Sequence, residues 1–109
     1  MTFQVQITAR ASANIDEALA WLQEKARHTL AQWHNRLMNA IQSLDHLPTR
    51  FPVFTDARKQ LKLDYEMRVM LFGKRRGTFQ VFYWIVDDRV EVLHIRRATR
   101  ATIDLDDLR

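Results

Sequence analysis

The interval at which hydrophobic residues recur changes along the chain, and each change marks an element. Phe3, Val5 and Ile7 alternate with Gln4, Gln6 and Thr8, the two-residue period of a half-buried strand. From Ile15 the interval lengthens, and Ile15, Ala18, Leu19, Leu22 and Ala26 fall on one face of a helix. Asn14 followed three residues later by Glu17 has the form of a capping box, and Asp16 and Glu17 suit a positive helix end, so this helix is predicted to open at Asn14. Lys25, Arg27 and His28 supply the charge expected at its other end. A second helix follows in Leu30, Trp33, Leu37, Ile41 and Leu44, with Gln32, Arg36, Asn39 and Gln42 facing away and Pro48 as its stop. So short a connection predicts an antiparallel helical hairpin packed on a sheet, with Trp21 and Trp33 as packing residues rather than binding platforms.

Beyond an irregular stretch the pattern returns to strands. Residues 49–66 include an apolar-anchored turn at Arg50-Phe51-Pro52-Val53-Phe54 and a short helical turn predicted over Ala57 to Leu63. Met67 to Phe72 reads as a strand leading into the loop Gly73 to Gly77. Thr78 to Val86 is almost wholly β-branched, aromatic or apolar, as a strand covered on both faces requires. Asp87-Asp88 makes a two-residue turn without the glycine such turns favour. Arg89 to Ile95 then alternates, Val90 and Val92 set against Glu91 and Leu93, before Arg96, Arg97 and Arg100. A strand, a helical hairpin and a three-stranded antiparallel meander make an α+β chain, read as one domain over residues 1–109.

Composition narrows the chemistry. At 109 residues and 47% hydrophobic content the chain can close a core without a metal or disulfides. It has no cysteine, which removes thiol nucleophiles, thiolate metal sites and redox centres, and fits a reducing compartment. The opening MTFQVQITAR lacks the features of a signal peptide and no apolar run approaches membrane-spanning length, so the expected setting is the cytoplasm, away from membranes. Residues 1–49 balance their charges, whereas residues 50–100 carry twelve Lys/Arg against six Asp/Glu. The excess belongs to the sheet and the segment leading into it, where it favours a polyanion or an acidic protein partner.

No nucleophile–base pair or metal-ligand spacing stands out, and no cofactor is implied. His28, His34, His46 and His94 are scattered, and none is paired as in a zinc-binding helix. What remains is a set of cations around the meander: Arg68, Lys74, Arg75, Arg76, Arg96, Arg97 and Arg100. Guanidinium groups suit phosphate and carboxylate. Internal cleavage of RNA needs a 2′-hydroxyl deprotonated, phosphorane charge stabilised and a leaving oxygen protonated. Arginines meet the second need but stay charged near neutral pH, so a nuclease built on this chain would recruit His94, a lysine or a tyrosine, or obtain help from a partner.

From Phe3 to about Arg100 the chain resembles the RelE/ParE superfamily of type II toxin–antitoxin toxins, sometimes described as plasmid-stabilisation proteins. The resemblance is carried by the opening strand FQVQIT, the first helix ANIDEALAWL and the second helix and turn from Trp33 to Pro52. It continues through RVMLFGKRRGTFQVFYWI and closes on VEVLHIRRATR. The family fold, two N-terminal helices packed on a small antiparallel sheet, agrees with the order read above. The resemblance implies a growth-inhibiting toxin neutralised by an antitoxin encoded beside it.

Within the superfamily, RelE-like members cleave mRNA in the ribosome, and ParE-like members poison DNA gyrase. The G-Y-R pattern of RelE-like enzymes reads Gly77-Thr78-Phe79-Gln80 here, with Gln80 at or near the arginine's place. Arg100 falls near the family's C-terminal catalytic arginine, but Ile103-Asp104-Leu105-Asp106 stands where a tyrosine is expected. Three readings follow. The first is a ParE-like inhibitor using the hairpin and the basic C-terminal strand as contact surfaces. The second is a ribosome-dependent endoribonuclease, with Arg100 and His94 catalytic and Arg68, Lys74 and Arg75 on phosphates. The third is a degenerate homologue that keeps only antitoxin binding. Arg76, Arg96 and Arg97 join the phosphate- or partner-binding set, and a homodimer is an alternative cover for the apolar surface when the chain is isolated from its antitoxin.

Overall fold

A computed structural model of the chain describes residues 2–54, 66–73 and 79–98. The described elements are β1 (Gln4–Ile7), α1 (Ala9–Lys25), α2 (Leu30–Gln42), β2 (Arg68–Phe72), β3 (Phe79–Val86) and β4 (Arg89–Arg97). Single 3₁₀ turns at Arg27–Thr29, Ser43–Asp45 and Pro48–Arg50 join or extend the helices. The class is α+β, with a mostly antiparallel four-stranded sheet in the order β1-β4-β3-β2. The three C-terminal strands form the expected meander. β1 lies beside β4 and runs parallel to it, from Gln4↔Arg89 to Ile7↔Val92. The helical turn expected over residues 57–63 and the loop at 74–77 fall outside the described residues.

Helix α1 opens five residues before Asn14. Thr8 is its N-cap: the backbone there is extended, and the hydroxyl oxygen accepts a hydrogen bond from Ala11 N at 3.2 Å. The capping-box reading of Asn14 and Glu17 is therefore corrected. A threonine cap ahead of a run of good helix formers starts the helix earlier, and Asn14 becomes an interior position. Ala11, Ile15, Ala18 and Leu22 line the buried face, where the two alanines let the helix lie close to the sheet. In α2 the buried residues are Leu37 and Ile41, followed by Leu44 in the next turn. Pro48 does not end α2, which stops at Gln42; it opens a separate 3₁₀ turn instead, its missing N–H costing nothing at that position.

Both helices pack on one face of the sheet, against Met70, Phe79, Val81, Tyr83, Val90, Val92 and Ile95. Trp33 joins this core between Phe72 and Phe79, with ring centroids 6.1 and 5.3 Å away, and so packs as expected. The opposite face carries a smaller cluster of Met67, Phe82 and Leu93 against Phe54, Val69 and Trp84. β3 is thus apolar on both faces. Asp87 takes the first place of the β3–β4 turn with φ 55°, a conformation aspartate tolerates.

One irregularity decides which side chains go where. Phe82 pairs with His94 but Tyr83 pairs with Val92, so Leu93 is an extra residue in β4. Before this bulge the even-numbered Val90 and Val92 face the helices; after it the odd-numbered Ile95 and Arg97 do. The bulge therefore moves His94 and Arg96 to the face that carries Phe82.

Candidate functional site at the end of β4

β1 pairs with β4 only as far as Val92, and from Leu93 to Arg97 the strand runs on beside α1. Three hydrogen bonds seal the junction, one of them from the Thr8 hydroxyl to Leu93 O at 3.4 Å. Thr8 N donates to Val92 O at 3.1 Å, and Ile95 N donates to Asn14 Oδ1 at 3.0 Å. Around this stretch of β4 opens a cavity of about 310 Å³, lined from α1 by Asn14, Glu17, Ala18 and Trp21 and from the sheet by Phe79 and His94 to Arg97. The α1 residues share one helical face because they are three, four and seven positions apart.

Three of the residues singled out from the sequence meet here. His94 is buried and lies near-parallel to Phe82, with ring centroids 6.1 Å apart. Arg96 is also buried; its Nε donates to Gln80 Oε1 at 2.9 Å, and its guanidinium sits 5.1 Å over the Phe82 ring. Arg97 lies on the helix side of the strand, with its guanidinium 4.5 Å from the centre of the Trp21 ring. Trp21 is 39% exposed, so it serves less as packing than the sequence led one to expect and more as a wall for Arg97.

Arg68 is elsewhere and has another task. Its Nη1 donates to Thr49 O at 3.2 Å and Phe51 O at 2.7 Å, and its Nη2 lies 3.7 Å from Glu66. These contacts hold the turn after α2 against β2. Lys74, Arg75, Arg76 and Arg100 lie outside the described residues.

Sequence reasoning did not select Asn14, Glu17, Trp21 or Gln80 as site residues. Asn14, Glu17 and Trp21 share a helical stripe because Asn14 is an interior position of α1 and not its cap. Gln80 could be found only through its register opposite Arg96. Chemically the arrangement is suited to holding an anion at Arg97, whose guanidinium lies against the aromatic wall of Trp21 with Glu17 nearby. Among the described residues no group of three His, Asp or Glu side chains is placed to hold a metal ion, and no helix is long and apolar enough to cross a membrane. The chain matches no protein-family model and no curated protein.

Proposed function

We propose that the chain is a RelE/ParE-like toxin of a type II toxin–antitoxin pair, that it arrests growth by binding DNA gyrase, and that an antitoxin encoded beside it neutralises it. The element order supports the family reading: a strand, two helices and three antiparallel strands, with both helices on one sheet face. The observation that carries binding over cleavage is the setting of His94. The sequence's best candidate for proton transfer is only 5% exposed and stacked on Phe82. A general base has to come within hydrogen-bond reach of the hydroxyl it deprotonates. Two arginines of the candidate set are likewise engaged inside the molecule, Arg68 on backbone carbonyls and Arg96 on Gln80.

The test is induced expression in bacteria with pulse-labelling of DNA and protein synthesis, run beside a supercoiling assay with purified gyrase. Early arrest of DNA synthesis, retained by His94→Gln, is the expected result. An immediate stop in translation that His94→Gln abolishes would instead establish the ribonuclease, and undisturbed labelling of both would leave antitoxin binding as the chain's only role.

A further inference from the structure

We infer that the pocket at the end of β4 binds a carboxylate carried by a partly apolar peptide segment of a protein partner, with Arg97 as its principal ligand. This rests on reading the same surface as protein-binding and adds the group that is bound. Arg97 Nε is buried and has no hydrogen-bond partner among the described residues, while the guanidinium plane rests against Trp21. Stacking on an aromatic ring fixes the plane of the guanidinium without using the donors in its edge. A buried cationic donor is costly to leave unmade, so an acceptor arriving from outside completes the site. Arg96 Nε, by contrast, already donates to Gln80.

Charge and lining select the class of ligand. Arg97 is the guanidinium that faces α1 beside Trp21 and Glu17, while that of Arg96 lies over Phe82 on the other face of the sheet, and one planar fork suits one carboxylate. Ala18, Phe79 and Ile95 offer apolar surface beside it, suited to an aliphatic neighbour of that carboxylate. The volume of about 310 Å³ is enough for a side chain and its neighbour, not for a folded element. A nucleic-acid strand fits less well, because one face of Trp21, where a base would stack, is already covered by Arg97.

The Nε–Hε resonance of Arg97, assigned by its disappearance in Arg97→Lys, reports on the site directly. The folded chain would be titrated with N-acetyl-Leu-Glu amide, with N-acetyl-Leu-Gln amide and with dimethyl phosphate. A saturable displacement by the glutamate peptide is expected, with about tenfold weaker half-saturation by the glutamine peptide. Trp21→Ala should weaken the response and Trp21→Phe should restore part of it. No saturable displacement, an equal response to glutamine, or a stronger one to dimethyl phosphate would overturn the inference, the last assigning the pocket to a nucleic-acid backbone. Carboxylate binding without arrest of DNA synthesis would sink the gyrase reading alone; arrest without carboxylate binding would sink only the pocket's assignment.

Discussion

The phenol of Tyr83, fully buried in β3, donates a hydrogen bond to the carbonyl of Pro48 at 2.5 Å and so ties the centre of the sheet to the turn that follows α2. Burial pushes the phenol up to about 12, against the opposing pull of the Arg68 and Arg50 charges. Tyr83→Phe leaves the Pro48 carbonyl without this donor and should cost about 1–2 kcal/mol in urea unfolding. The pH dependence follows from linkage. The unfolded phenol ionises near its ordinary value of 10.0 while the folded one keeps its proton, so this contribution is complete below pH 10 and is lost as pH rises towards about 12. Tyr83→Phe should flatten that alkaline loss; an unchanged alkaline slope would show that Tyr83 is not its source.

Arg68 acts on the same turn from the other side. Because Nη1 donates to the carbonyls of Thr49 and Phe51 while Nη2 faces Glu66, a lysine, with one nitrogen on a shorter side chain, cannot span all three. Arg68→Lys should destabilise by about 1–2 kcal/mol despite conserving charge. An unchanged urea midpoint would show that these carbonyl contacts do not hold the turn.

Leu47, between Asp45-His46 and Pro48, is held at φ 44° and ψ 56°, the left-handed region, with its side chain 72% exposed. Arg50 Nη1 clamps the turn by donating to the carbonyls of Ser43, His46 and Leu47. Leu47→Gly removes a strained Cβ and little packing, so it should stabilise by roughly 0.5–1 kcal/mol after the entropic cost of glycine. Thermal unfolding of the pair of variants measures it, and a lower midpoint for glycine would mean that the leucine packs.

Glu91 accepts from Trp84 Nε1 at 2.7 Å and from Arg89 Nε at 3.2 Å, on the face of the sheet away from the helices. The Trp84 hydrogen bond holds its carboxyl below the usual range, helped by the bond and charge from Arg89 and opposed by burial. A lowered folded pKa contributes stability above the unfolded value near 4.5, and that stability is lost as pH falls through the folded one. Glu91→Gln should therefore weaken the protein at pH 7 and leave its stability in strong acid nearly unchanged. An equal loss at both pH values would place the effect in packing instead.

Asn14→Ala takes the acceptor from Ile95 N and opens the edge of β4 just where β1 has stopped pairing. A loss of about 1 kcal/mol is expected, with faster amide exchange at Ile95. Asn14→Asp keeps an acceptor and should keep Ile95 protected; exchange unchanged in Asn14→Ala would mean that another group satisfies this amide.

Local pattern carried much of the fold. The alternation of Phe3, Val5 and Ile7, the helical spacing from Leu30 to Leu44, and the β-branched and aromatic run before Asp87 each depend on neighbours along the chain. All three became the elements they suggested. The start of α1 differs from its sequence pattern because Asn14 and Glu17 have the spacing of a cap while Thr8 makes the capping bond in three dimensions. Competing caps differ by about 1 kcal/mol, too little for spacing alone to rank them.

The sequence by itself determined the α+β class, the meander and the concentration of positive charge towards the C-terminal half, since periodicity and composition are local properties. Tertiary structure alone decided that β1 would pair in parallel with β4 and that Asn14 would close the strand beyond it, because both depend on partners more than eighty residues away. It also decided the faces of His94, Arg96 and Arg97. A single extra residue at Leu93 reverses the two-residue alternation of a strand, and only the register against Phe82 and Tyr83 reveals where that residue lies.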